Sequence, residues 1–248
     1  MQSVLVNGRI LTPEGIVDGK AVAIADGRIQ GLIDSADTPA GAQRHDLDGG
    51  LLVPGFIDTQ VNGGGGVLFN DATTVEAIAA IGAAHRPYGT TGFLPTLISD
   101  DLAVVDAAMR ATEQAIEAGV PGVLGVHIEG PFLNVKRKGI HDSSKFRTLD
   151  DEAVALLSSL KRGKTLVTLA PETTTPEMVR RLASAGVTVA AGHTNAAYGT
   201  LRKGLDAGLT GFTHLFNAMS PLTSREPGVV GAALESQTAW CGIIVDGR

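Results

Sequence analysis

The chain has 248 residues, 44% hydrophobic and 19% charged, the make-up of a globular protein and not of a disordered one. At about 150 residues per domain, that length gives one large domain or two small ones, enough to bury a core. Twenty basic residues against 26 acidic ones leave a net charge of −6, and there are only seven Phe, two Tyr and one Trp. Both counts argue against a general nucleic-acid binder, which needs phosphate neutralisation and stacking surfaces. The 32 glycines follow no period of three, so they point to tight loops and exclude collagen. A lone cysteine, Cys241, permits no internal disulfide and fits a reducing compartment. The opening MQSVLVNGRI has no basic stretch followed by an apolar one, and no apolar run approaches the ~18 residues of a membrane span. A soluble cytoplasmic protein with no membrane or nucleic-acid partner is expected.

The first fifty residues have hairpin grammar. Val4–Val6, Ala21–Ala25 and Arg28–Ile33 are β-type runs, and Asn7-Gly8, Asp18-Gly19 and Asp26-Gly27 are turn dipeptides. Residues 1–50 are therefore expected to form a small β-sheet module. From Leu51 the grammar changes. Strand-length apolar runs at Leu51–Asp58, Gly92–Leu97, Val123–Ile128, Leu166–Ala170, Val187–Ala191, Gly211–His214 and Gly242–Asp246 alternate with Ala-rich helical stretches. The helices are predicted near 74–86, 101–118, 150–160, 176–185, 196–207 and 228–236. Runs apolar throughout suit parallel strands buried on both faces. The βα repetition over 51–248 predicts an α/β fold, a (β/α)8 TIM-type barrel or a doubly wound sheet. Seven strands are counted where a barrel closes with eight. The chain therefore reads as a barrel lacking its last βα unit and the return strands of the module; a compact seven-stranded or open variant is the alternative.

The chemistry-bearing residues fall at strand ends, where barrel active sites lie. Glu129 ends the third strand, His193 follows the fifth and His214 ends the sixth. One carboxylate and two imidazoles make a hydrolytic zinc set with a fourth position open to water. The plain alternative for each is a polar residue meeting solvent. His127 shares a strand face with Glu129 and reads as a buried core histidine, or as a support for the metal site. His45 and His85 lie away from the strand ends and receive no role. Cys241 starts an apolar strand and is expected in the core. The basic triplet Lys136-Arg137-Lys138 is read as a solvated face, or as weak steering of an anionic substrate.

Motifs then narrow the reading. Val53-Pro54-Gly55-Phe56-Ile57-Asp58 resembles the first-strand signature of the amidohydrolase superfamily. The segments 60–66 (QVNGGGG), 127–134 (HIEGPFLN), 192–196 (GHTNA), 213–221 (THLFNAMSP) and 224–228 (SREPG) resemble the N-acetylglucosamine-6-phosphate deacetylase family, over the whole chain to Asp246. The resemblance implies one divalent metal, zinc or iron, on Glu129, His193 and His214. Gln60 and Asn62 stand where many amidohydrolases carry His-x-His. Neutral amides are poor zinc ligands, so a mononuclear site follows, with these two left to bond a water or the substrate. The resemblance further implies that His141 contacts the sugar or polarises the amide carbonyl. It also implies that the Asn217 and Ala218 main chain and the Arg225 guanidinium bind the sugar phosphate. The expected partners are a phosphosugar substrate and a second copy of the chain, a homodimer in which Arg225 reaches the neighbouring site.

Amide hydrolysis needs a base for water and an acid for the leaving amine. The family places an Asp for this after strand eight, and neither Asp58 nor Asp246 matches that position. The intact protein is therefore expected to release acetate from N-acetylglucosamine 6-phosphate, and the 248-residue chain to be nearly inactive. The rivals are another mononuclear amidohydrolase, acting on a cyclic amide or an N-acyl amino acid, and a non-catalytic barrel that only binds amino-sugar phosphates.

Overall fold

The computed structural model describes residues 2–247. It divides into two compact units between Gly55 and Phe56. The first unit holds β1 (Gln2–Val6), β2 (Arg9–Thr12), β3 (Gly15–Val17), β4 (Lys20–Ala25), β5 (Arg28–Asp34), β6 (Gln43–Asp46) and β7 (Leu51–Leu52). They form a four-stranded sheet in the order β5-β4-β1-β6 and a three-stranded one in the order β3-β2-β7. The Asp26-Gly27 turn between β4 and β5 has positive φ at both residues, the geometry whose twist matches a hairpin. Val4, Val6 and Ala21 form the small core, with Ile33 and Ala42 packed on it.

The second unit begins with β8 (Phe56–Val61) and a short hairpin, β9 (Gly63–Gly64) and β10 (Val67–Leu68). There follow α1 (Val75–His85), β11 (Thr90–Ile98), α2 (Leu102–Glu117), β12 (Gly125–Glu129), α3 (Asp151–Leu157), β13 (Lys164–Leu169) and α4 (Pro176–Ser184). The unit continues with β14 (Thr188–Ala191), α5 (Tyr198–Asp206), β15 (Leu209–Phe212), α6 (Gly228–Glu235) and β16 (Trp240–Cys241). Strands β8, β11, β12, β13, β14, β15 and β16 lie side by side, all parallel and in chain order. This is a curled half-barrel of TIM type with seven strands, as the sequence indicates. The helices start where the sequence supplies caps: Thr74, Asp150 and Thr175 each accept from the backbone N–H three residues on, and Pro176 takes the first turn of α4.

Strand alternation explains why these segments read as unbroken apolar runs. One face (Val126, Ile128, Val167, Leu169, Val189, Ala191, Phe212) joins the large core that also contains buried residues of the six helices. The other faces the barrel interior in layers. The deepest is Leu94, Leu166 and Ala190, with Trp240 packed against them. Above it lies a polar layer of Thr96, His127, Thr168 and Thr213, all buried.

Three expectations are corrected. The run Leu51–Asp58 is two strands, β7 and β8, parted by Val53-Pro54-Gly55, because proline cannot donate to a ladder. The last strand is Trp240–Cys241, not Gly242–Asp246. Gly242 still pairs on both sides, its amide donating to the Phe212 carbonyl and its carbonyl accepting from Leu215 N, each at 2.8 Å, and beyond it Ile243, Ile244 and Val245 are left exposed. Cys241 is exposed, not core: Trp240 takes the interior position of this two-residue strand, so alternation turns Cys241 outward.

Candidate metal centre

The C-terminal strand ends carry the site. Glu129 is the last residue of β12; His193 and His214 each follow their strands, β14 and β15, by two residues. All three are buried. Glu129 Oε1 lies 3.2 Å from His193 Nε2 and 3.1 Å from His214 Nε2, and the two Nε2 atoms are 3.1 Å apart. Ligand bonds of about 2.0–2.1 Å around tetrahedral zinc put neighbouring donor atoms about 3.3 Å apart, close to this triangle. The residues therefore fit a divalent cation in spacing and in kind.

The protons point the same way. His193 Nδ1–H donates to the Arg137 carbonyl at 2.8 Å, which turns Nε2 toward Glu129. Two imidazole nitrogens and a carboxylate oxygen then converge on one point, and a cation satisfies all of them at once. Among the described residues His214 Nδ1 is buried without a hydrogen-bond partner, and the ring is held by its Nε2 contacts and by its edge-on packing against His193. Burial alone would raise the Glu129 pKa, but the contacts from His193 and His214 outweigh it and hold the carboxyl well below the usual range.

Backbone strain marks the same place. His193 (φ 47), His214 (φ 34), Phe216 (φ 78) and Ala218 (φ 49) are left-handed without being glycine, and such residues persist only where surroundings over-determine them. The over-determination is visible around His193. Its carbonyl accepts from Asn134 N at 3.0 Å. Thr194 N donates to the Ala218 carbonyl, and Ser220 N returns a bond to Thr194 O. Glu172, just past β13, accepts from Asn134 Nδ2 (2.8 Å), from Asn195 N (2.7 Å) and from the Thr194 hydroxyl.

His141 belongs to the cluster. It is 3% exposed, its Nε2 is 3.8 Å from Glu129 Oε2, and its ring meets that of His193 edge-on at 4.3 Å between centroids. Burial, only partly opposed by the Glu129 charge, lowers its pKa to about 4. His127 is fully buried in the polar layer, between the Thr96 hydroxyl (3.2 Å) and the Thr168 hydroxyl (2.7 Å), and it hydrogen-bonds none of the three donors. Burial, again against Glu129, brings it to about 4 as well, so it is neutral.

The other expected residues are not drawn into the triangle. Gln60 and Asn62 are half-buried at the end of the edge strand β8, and their side chains hydrogen-bond none of the three donors. Asn217 N donates to the His214 carbonyl at 2.9 Å, and Ala218 O binds Thr194 N; both use main chain. Arg225 is exposed. Sequence reasoning missed Glu172 and Ser99, although both stand at strand ends (β13 and β11). His85, assigned nothing, donates Nε2–H to the Gly63 carbonyl at 2.9 Å and so steadies the glycine turn. Arg137 contributes its carbonyl to His193, and its Nε to Asn195 Oδ1.

Fold and donor set together define a TIM-type half-barrel whose C-terminal strand ends gather a candidate cation site. The chain belongs to the amidohydrolase family, whose model matches residues 51–240. It is 46% identical, over 97% of its length and 61% of the relative's, to the N-acetylgalactosamine-6-phosphate deacetylase of Shewanella sp. (strain ANA-3). It is 38% identical, over 100% of its length and 65% of the relative's, to the N-acetylglucosamine-6-phosphate deacetylase of Haemophilus influenzae. The crystal structure of N-acetylglucosamine-6-phosphate deacetylase from Pasteurella multocida matches with a TM-score of 0.95 and 35% identity, over 100% of this chain and 65% of that one. The chain thus spans less than two thirds of the length of these relatives. Among the described residues no helix is long and apolar enough to cross a membrane.

Proposed function

We propose that the protein is a deacetylase hydrolysing the N-acetyl amide of N-acetylglucosamine 6-phosphate to glucosamine 6-phosphate and acetate. The observation that carries this is the buried triangle of Glu129, His193 and His214. These residues would hold one divalent cation, zinc by the donor set, with iron compatible with the same ligands. When bound, such a cation lowers the pKa of a coordinated water to about 7 and so provides a nucleophile at neutral pH.

The chain's own residues orient the substrate around that point. His141, buried beside the second oxygen of Glu129, faces the amide carbonyl. The Ala218 main-chain N–H, next to Asn217, and the exposed Arg225 fork take the 6-phosphate, since guanidinium donates two parallel bonds to phosphate oxygens. The exposure of Arg225 suits a homodimer in which it reaches across to the neighbouring site. Gln60 and Asn62 bond water or the sugar. Among the described residues the donor cluster holds Glu129 and two histidines; an acid/base group serving the water and the leaving amine is worth ~10²–10⁴ in rate.

The 46% identity to the Shewanella protein favours a second reading, the N-acetylgalactosamine epimer. Acetate release from both 6-phosphates and from unphosphorylated N-acetylglucosamine, on zinc-loaded protein, tests the proposal. Preference for a 6-phosphate with one metal per chain is expected. Two metals per chain, or equal hydrolysis of the unphosphorylated sugar, overturns it; tight binding of the phosphosugars without any acetate identifies a binding barrel instead.

A further inference from the structure

The role of His141 depends on which ring nitrogen carries its proton, and the structure fixes this through a residue outside the motifs. Ser99 is the residue following β11, and it is 6% exposed. Its backbone N–H donates to His141 Nδ1 at 3.3 Å, and its hydroxyl lies 2.8 Å from the same atom. A backbone amide can only donate. His141 Nδ1 therefore offers a lone pair, the ring cannot be doubly protonated, and the single proton sits on Nε2. That nitrogen is the one turned to the metal centre, 3.8 Å from Glu129 Oε2.

The space for this arrangement is built in. Gly130, directly after Glu129, has φ 90, and a Cβ there would stand 2.3 Å from Ser99 Oγ. The residue next to a metal donor thus lacks a side chain where the hydroxyl needs room.

We infer that Ser99 is a positioning residue that locks His141 in the Nε2–H tautomer, making it a hydrogen-bond donor to the substrate's amide oxygen and not a base. The lock itself is a property of the chain; its use on an amide rests on the deacetylase reading above. In the reaction the His141 Nε2–H bond stays intact. It donates to the carbonyl oxygen as negative charge develops there, the situation in which a preorganised donor acts most strongly. The proton taken from water has to go elsewhere, because the other ring nitrogen is occupied by two Ser99 donors.

The test is long-range proton–nitrogen NMR correlation of the protein labelled with 15N-histidine, zinc-loaded at neutral pH, with His141→Gln to assign the signal. Wild type should show a protonated Nε2 and a bare Nδ1 on His141. Ser99→Ala should move the pattern toward averaging between tautomers, because the shorter of the two contacts is lost, and Ser99→Thr should restore it. Zinc stoichiometry should be the same in all three. In turnover, Ser99→Ala should lower kcat about tenfold with KM unchanged, and Ser99→Thr should recover most of it. A wild-type Nδ1–H or loss of zinc in Ser99→Ala overturns the inference, and an unchanged Ser99→Ala spectrum refutes the part given to the hydroxyl. Failure of every sugar amide to react, with the tautomer pattern as described, refutes the deacetylase reading and leaves the lock standing.

Discussion

Replacing Glu172 by alanine removes the acceptor for three donors at once: Asn134 Nδ2, Asn195 N and the Thr194 hydroxyl. These lash the loops after β12 and β14 to the end of β13. The loop after β14 carries His193 in a left-handed conformation that costs about 1–2 kcal/mol for a non-glycine residue. Hydrogen bonds to a charged group contribute about 1.5–3 kcal/mol each, toward the low end for a half-buried carboxylate. Without them, relaxation of His193 toward negative φ swings its Nε2 out of the triangle. Loss of support for a ligand costs about 10–100-fold in metal affinity, or about 1.4–2.7 kcal/mol. Glu172→Gln should behave differently. Its carbonyl oxygen can keep the two N–H donors that share Oε1, and its amide can donate to the Thr194 oxygen, so only the charge is lost. Chelator competition for zinc is the assay: Glu172→Ala should weaken binding 10–100-fold and Glu172→Gln by only a few-fold. Wild-type affinity in the alanine variant, or a glutamine variant as weak as alanine, refutes the reasoning.

His193→Ala should abolish stoichiometric zinc binding in equilibrium dialysis, since it removes one of the three donors gathered among the described residues; full occupancy in that variant sinks the triangle as a ligand set. In the metal-free protein, His127 titrates near 4 when folded, against about 6.5 when unfolded. A depressed histidine leaves its stability contribution fully present above pH 6.5 and loses it as pH falls toward 4, by about 3 kcal/mol across that window. His141 adds a loss of the same sign. Urea melts at pH 7, 5.5 and 4 should show this decline, and a flat profile contradicts the buried, neutral assignment. Gly125→Ala should cost about 3–5 kcal/mol in calorimetry, because the new Cβ would stand 1.8 Å from the Lys164 carbonyl oxygen, in strand backbone that has no room to yield.

The fold was legible because a barrel strand announces itself twice. Leu166–Ala170 is apolar at every position but Thr168, since one set of side chains packs under helices and the other lines the barrel, and the following Thr175-Pro176 opens a helix by cap chemistry. Where one of those supports was missing, the reading slipped. Ile243-Ile244-Val245 has strand composition yet lies exposed outside any strand, because pairing with the segment after β15 ends at the bond from Leu215 N to the Gly242 carbonyl. Composition reports what a segment could pack, and pairing decides whether it does.

The site was legible to the extent that function sits in side-chain type at a strand end. Glu129, His193 and His214 meet that condition, and so do Glu172 and Ser99, which went unread for different reasons. Glu172 binds a backbone N–H, an amide and a hydroxyl from two other loops, none of which a sequence marks as needing a carboxylate. Ser99 acts through its own main-chain N–H as much as through its hydroxyl, a donor that every residue but proline possesses. The Arg137 carbonyl under His193 is the extreme case, an acceptor common to all twenty residue types. Groups that touch the reacting atoms need particular side chains. Groups that orient them can be main chain, so the outer layer of such a site becomes visible only when strand ends are examined for what they hold as well as for what they are.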